Sequence, residues 1–466
     1  MVSDEIQLPK SEPSISRSGQ IAVLLVAFLG WAFAGVHMSI TSIAMRVALT
    51  DLLPSGTAEG EIGQWFGWLV CAFLLGAATG GYLFGIVGDR FGRAKAMAAS
   101  IFCYSFFSGV TYFVNSAEML LVLRFLTCMG VGGMWPNGIA LLSEAWSNVG
   151  RPILAGVMGT AANVGILFFA IATTYRFVTA DDWRWTMVVG ASPIILGILS
   201  LLTVPESPRW LAIRAGDTEE EVAKVGVAEI FKPPLRKLTI IGILLGTIPL
   251  FGGWGVANWA SAWASEVGDR PVAKATGDVA QNAGDQSAVK PARSADPALK
   301  SKATIARSLT GSVTSLLGGF IAAMLGRKLS YSILCACALA CTQFLFRVED
   351  PGSKEALFEI FGWAPSPFIF WTAALGFFSG FFFGWLPLCL PELFPTRIRS
   401  TGAGVSFNWG RILTAVGILI SAAALKTALK GQYHVVGQFT GFIYAVGLIV
   451  ILFAPFSKEK EQELPD

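Results

Sequence analysis

Charge is what this sequence has least of: 14% of its 466 residues are charged, against roughly 25% in soluble proteins. With 54% apolar side chains, a water-soluble globule does not fit the composition. Histidine is scarcer still, with only His37 and His434. The cysteine group Cys335, Cys337 and Cys341 has no nearby His, Asp or Glu, so no metal site is expected. All seven cysteines fall within apolar stretches and read as small buried hydrophobes, not a disulfide framework. No nucleophile paired with a base and no phosphate-cradling loop is present, so an enzyme is not expected and no cofactor is implied. A net charge of +3 on 34 basic and 31 acidic residues, with no basic stripe, argues against nucleic acid. Residues 1–19 lack the basic region, short apolar run and small-residue site of a cleaved signal, so the first apolar stretch is expected to be retained.

What is present is a series of apolar blocks, at 20–45, 62–84, 98–114, 117–143, 153–175, 185–204, 238–263, 304–326, 329–346, 368–391, 401–425 and 437–456. Most are close to the roughly 20 residues a membrane helix needs. Twelve membrane helices are therefore predicted, in an all-α membrane protein embedded in a lipid bilayer. With an even number of helices both termini share one side. That side and its loops carry 18 Lys and Arg, and the other side carries 13, of which six lie in segment 264–303. Long loops count little in setting topology, and the remaining 18 against 7 puts both termini in the cytoplasm. Segment 264–303, rich in Ala and free of aromatics, is expected to be a disordered extracytoplasmic insert.

The chain repeats itself. Glu144 and Arg151 recur as Glu392 and Arg399, 248 positions on, and the same offset lays Gly156 on Gly404. Gly85, Gly92 and Arg93 recur as Gly319, Gly326 and Arg327, 234 positions on. Parallel repeats of this kind predict two related six-helix units. The expected organisation is an N-terminal tail (1–19), one bundle (20–204), a central cytoplasmic loop (205–237), a second bundle (238–456) containing the insert, and a tail (457–466).

The loop Gly85-Ile-Val-Gly-Asp89-Arg90-Phe-Gly92-Arg93-Ala-Lys95 resembles the signature between helices two and three of the major facilitator superfamily. Pro205-Glu206-Ser-Pro-Arg209-Trp-Leu and Pro391-Glu392-Leu-Phe-Pro-Thr-Arg397-Ile-Arg399 are similar to the signatures that sugar porters and organic ion transporters carry after helices six and ten. Gly402-Ala-Gly404-Val-Ser-Phe-Asn408-Trp-Gly-Arg411 looks more like the aromatic-acid and sialic-acid-type symporters. The resemblance implies the major facilitator fold, alternating access, and a gate on the cytoplasmic side. Glycines there permit close helix approach, and the charges can pair with one another or with helix termini. The gating candidates are Gly85, Asp89, Arg90, Gly92, Arg93, Glu144, Arg151, Glu206, Arg209, Glu392, Arg397 and Arg399, with ion pairs expected between the two halves. Ala323 and Met324 replace Asp89 and Arg90 in the repeat, so the second latch is expected to be degraded.

Polar groups within the spans are costly and mark pathways. The substrate-binding candidates are His37, Arg124, Asn137, Asn163, Trp254, Asn258, Gln343, Asn408 and Arg411. Helix seven is the expected interruption, at Pro249-Leu-Phe-Gly-Gly253. No Asp or Glu lies in the middle of a block, while an acidic residue is usual in the first helix of the symporters this chain resembles. His37 is the only group near neutral pH within the spans. The expected function is secondary transport of a small polar solute, a sugar acid or other small carboxylate, with proton symport implied by the resemblance. A proton-independent facilitator of a neutral sugar is the alternative, and a non-transporting solute sensor a remoter one. A monomer in a bacterial-type inner membrane is expected.

Overall fold

The computed structural model describes residues 15–146, 151–208, 210–211, 229–269, 296–360, 362, 364–394 and 399–456. Among them are twelve helical spans. The first six are α1 (Arg17–Leu52), α2 (Glu59–Phe91), α3 (Arg93–Thr111), α4 (Ala117–Ala145), α5 (Arg151–Tyr175) and α6 (Trp185–Thr203). The second six are α7 (Leu235–Gly268), α8 (Leu299–Leu325), α9 (Arg327–Leu345), α10 (Pro367–Cys389), α11 (Arg399–Thr427) and α12 (Tyr433–Phe453). Eleven are long and apolar enough to cross a membrane, α3 being the more polar exception. Arg17 and Phe453 lie at what is here called the terminal face, and the 53–58 turn lies at the opposite face.

Breaks in these helices follow from local chemistry. Ser16 and Ser116 cap α1 and α4 by accepting the amides of Gly19 and Met119, each at 3.2 Å. Gly92 (φ +111°) and Gly326 (φ +82°) turn the chain from α2 into α3 and from α8 into α9. These two are repeat mates 234 positions apart, and only glycine takes such a φ without strain. In α7, Pro249 is followed by a π-helical turn over Gly252–Val256, so the predicted interruption is present in the form that proline and glycine favour.

Small residues let the helices of each half meet backbone to backbone, the general solution where lipid supplies no hydrophobic drive. On α4, Gly132 lies against Ala77 of α2, and on α10, Gly380 lies against Gly311 of α8. These pairs are related by the same offsets of 248 and 234 positions, so the repeat is a repeat of packing. Gly35 and Gly165 similarly lock α1 onto α5, against Ala162 and Ala32.

The boundaries of the insert need correction. Residues 264–268 and 299–303 are helical, because Ala264, Ser265 and Val267 are buried and Lys300 is held at its tip. Residues 270–295 lie outside the described residues.

Glycine substitution tests the α1/α5 packing. A Cβ at Gly165 would collide with the Ala32 backbone, whereas at Gly156 of the same helix its nearest neighbour is Leu316 Cδ2 at 3.8 Å. Gly165→Ala is expected to cost about 1–3 kcal/mol through overpacking and to lower the melting temperature in detergent. Gly156→Ala should leave it unchanged or raise it slightly, because alanine favours helix.

Candidate functional site

Cross-half contacts concentrate toward the opposite face. Arg46 of α1 is 4% exposed. Its guanidinium grips Glu59 of α2 through two bonds of 3.1 and 2.7 Å, reaches Ser265 Oγ at 3.4 Å, and lies 3.6 Å from Asp269, which follows α7. Tyr433 of α12 donates to Glu59 at 2.6 Å. Lys300 of α8, 1% exposed, donates to both oxygens of Asp269 at 3.1 and 3.2 Å and to the carbonyl of Val178 at 3.0 Å. Two cations and two carboxylates thus tie five helices together. Below them Ser42 of α1 donates to Asn258 of α7, and Ser261 of α7 donates to the carbonyl of Ser42, both at 2.8 Å. Thr173 of α5 and Ser301 of α8 bond at 2.8 Å.

Toward the terminal face α2 and α11 diverge. Cys71 Sγ bonds the carbonyl of Ala415 at 3.3 Å. Further along, a Cβ at Gly81 would lie 3.9 Å from Asn408 Oδ1, and Cβ atoms at Gly85, Gly159 and Gly404 would meet nothing within 4 Å. Among the described residues no cross-half hydrogen bond or ion pair lies at this end.

Among the described residues, the ion pairs of the gating candidates at the terminal face lie within halves. Arg93 pairs with Glu144, which also accepts from Ser207. Their repeat mates Arg327 and Glu392 form a two-pronged pair at 3.1 and 3.2 Å. The second latch therefore keeps its ion pair although Ala323 and Met324 have replaced the other two charges. In each half the turn after the second helix is tied to the end of the fourth. Asp89 does not cap α3: Glu206 does, accepting the amide of Ala94 at 2.9 Å beside the bare Cα of Gly92. Asp89 and Arg90 are exposed, and the carbonyl of Asp89 accepts from the Trp210 indole at 3.0 Å. Arg209 and Arg397 lie outside the described residues, as do the side chains of Arg151 and Arg399.

The binding candidates separate into two groups. His37, Asn137 and Gln343 face neighbours inside their own half. His37 is fully buried, with Nε2 3.1 Å from the carbonyl of Gly190 and its ring edge-on to Tyr104. Asn137 donates to the carbonyls of Phe84 and Gly133, and Gln343 donates to the carbonyl of Gln438 at 3.0 Å. Arg124 is also internal, donating to His37 O and Thr41 Oγ1 with its guanidinium 5.8 Å from the Phe73 ring.

Three candidates, Trp254, Asn408 and Arg411, instead lie where the halves meet, Asn163 is half-buried on α5, and Asn258 bridges the halves. Trp254, in the π turn, stacks on Phe73 at 4.2 Å across the halves. Asn163 lies on the α5 stripe that runs through Gly156 and Gly159. Asn408 faces Gly81, and Arg411 is half-buried with Asn408 Oδ1 at 3.3 Å and the Phe407 ring at 4.9 Å. Asn258 is the bridge to Ser42 already described. Sequence reasoning missed Arg46, Glu59, Asp269, Lys300 and Tyr433, because the apolar blocks were ended short of them. The run Val47-Ala-Leu49 beyond Arg46 was the available signal.

Residues 20–244 match the family described as "Sugar (and other) transporter". The chain is 24% identical to the cis,cis-muconate transport protein of Acinetobacter baylyi over 96% of each chain. It is 23% identical to the niacin transporter of the same organism over 95% of each. Its fold superposes on a D-xylose-proton symporter with a TM-score of 0.69 at 20% identity, covering 96% of this chain and 100% of that one. The chain has the major facilitator fold along its length and, over residues 20–244, the sequence of a transporter family. It is a multi-pass membrane protein and works as a secondary transporter. Alternating access in such a transporter requires contacts that form at one face while the other is parted. Among the described residues, the opposite face is bonded across the halves and the terminal face is not.

Removing one partner of a buried ion pair costs about 3–5 kcal/mol, enough to shift a two-state ratio by about a hundredfold. Arg46→Gln should therefore part the opposite face. With Cys71 as the sole cysteine, the transporter should become labelled there by a membrane-impermeant maleimide added on that side. An unchanged labelling rate would show that the network does not hold the gate.

Proposed function

We propose that this transporter carries a small organic carboxylate across the inner membrane as a monomer, with its termini in the cytoplasm. Arg411 carries the reading. It sits midway along α11, half-buried at the cleft, and no carboxylate pairs with it among the described residues. A guanidinium within a membrane span calls for an anion or water, and its planar fork fits a carboxylate bidentately. Asn408 and Asn163 offer neutral hydrogen bonds beside it, and Trp254 a flat apolar wall. Relatives named for muconate and niacin, both small unsaturated acids, favour an acid of that shape over a sugar acid. The excess of Lys and Arg in the terminal-face loops supports cytoplasmic termini, so the conformation described here opens inward. The two bundles, 20–204 and 238–456, rock about this cleft, while the Arg93–Glu144 and Arg327–Glu392 pairs brace their inner ends.

We infer proton symport as the driving force. His37 is sealed between α3 and α6, so it serves packing. Glu59 and Asp269, the carboxylates of the cross-half network, stand at the opposite face.

The test is uptake by proteoliposomes of nicotinate, cis,cis-muconate, glucuronate and xylose, with and without an inward proton gradient. Gradient-driven accumulation of an acid is expected. It should fall at least tenfold in Arg411→Ala, the loss of a charged hydrogen bond being worth about 1.5–3 kcal/mol, and keep its response to the gradient in His37→Ala. Equilibration of xylose, indifferent to pH and to Arg411, would instead establish a neutral-sugar facilitator.

A further inference from the structure

Resting on the carboxylate reading, we propose that Arg307 of α8, half-buried in the present conformation, is a second anion subsite, which takes the solute's carboxylate from the opposite face. Arg307 lies eight residues into α8 from Leu299, about 12 Å from that helix end. It lines a cavity of ≈ 10 Å³ with Ala257, Ala260 and Ser261 of α7, Thr304 of α8 and Thr372 of α10. That is room for about one water, too little for a solute. Among the described residues its guanidinium makes no hydrogen bond and has no carboxylate within ion-pair distance.

The surrounding hydroxyls do not compete for an anion. Ser261, Thr304 and Thr372 donate to the carbonyls of Ser42, Lys300 and Phe368 at 2.8, 2.8 and 2.7 Å. The donors left to meet a ligand are those of Arg307, a fork suited to carboxylate. The repeat makes the contrast plain. An offset of 234 positions places Arg307 on Phe73, and 248 positions place Thr372 on Arg124. Arg124 is occupied by His37 O and Thr41, whereas Arg307 is not.

The α7 neighbours of Arg307 belong to the segment beyond the π turn, which Ser42 holds through Asn258 and Ser261. When the opposite face parts, those bonds break, the segment Ala257–Gly268 swings on Gly252–Val256, and Arg307 is exposed to that side. The carboxylate then passes to Arg411 as the terminal face opens.

Full-length protein in membrane vesicles of both orientations separates entry from the two faces. Nicotinate is the probe and nicotinamide its neutral counterpart. Arg307→Gln is expected to raise the KM for nicotinate at least tenfold from the opposite face and less than twofold from the terminal face, with Arg307→Lys partly restoring it. Nicotinamide uptake should not change. Equal loss from both faces, equal loss for nicotinamide, or no loss at all would overturn the subsite while leaving the carboxylate reading intact. Wild-type vesicles that take up xylose but neither nicotinate nor muconate would overturn both.

Discussion

Everything in this conformation hangs on a neutral cluster of four charges at one end of the cleft. Arg46 and Lys300 are buried where a lone cation would be expelled, and Glu59 and Asp269 make their burial tolerable. Removing ions from water costs several kcal/mol each, regained only when geometry and hydrogen bonds are complete. Here they are complete only when α1, α2, α7, α8 and α12 converge. The cluster is therefore stable in one arrangement of the halves and costly in any other, which gives a gate two states instead of a continuum. Its ligands come from both repeats, so neither half can form it alone.

The divergence of α2 from α11 follows from that fixed point. Held together near Cys71 and Ala415, the helices spread by small steps until Gly85 and Gly404 face open space. The same glycines that leave room in this state would allow close approach in the other. The ion pairs at the terminal face keep each half rigid while this happens: Arg93 with Glu144 and Arg327 with Glu392 fasten a turn to the helix beside it.

Much of this was legible in the residues. Twelve apolar blocks, two repeat offsets and the glycines that end α2 and α8 led to the fold without ambiguity, because span length and positive φ are local constraints. Side-chain direction was not legible. Asn137 and Gln343 look like cleft ligands along the sequence, yet each donates to a carbonyl within its own half, a choice fixed by helix rotation. Arg46, Asp269 and Lys300 look like loop residues along the sequence, because charge interrupts an apolar run whether it is solvated or paired. Only the approach of distant helices tells the two cases apart. Likewise the second latch looks degraded at Ala323 and Met324, although its ion pair lies three residues further on, at Arg327.

The borders of residues 270–295 carry one more consequence. The carbonyl of Asp296 lies against Gly268, and Asp296 is tied to Lys302 at 2.6 Å. The chain thus leaves and re-enters the bundle at a single point. Doubling the length of chain between ends that already touch costs only about 0.6 kcal/mol, so an affinity handle inserted between Asp269 and Asp296 costs the fold little. Because Asp269 stands at its base, anything grafted there sits directly over the gate.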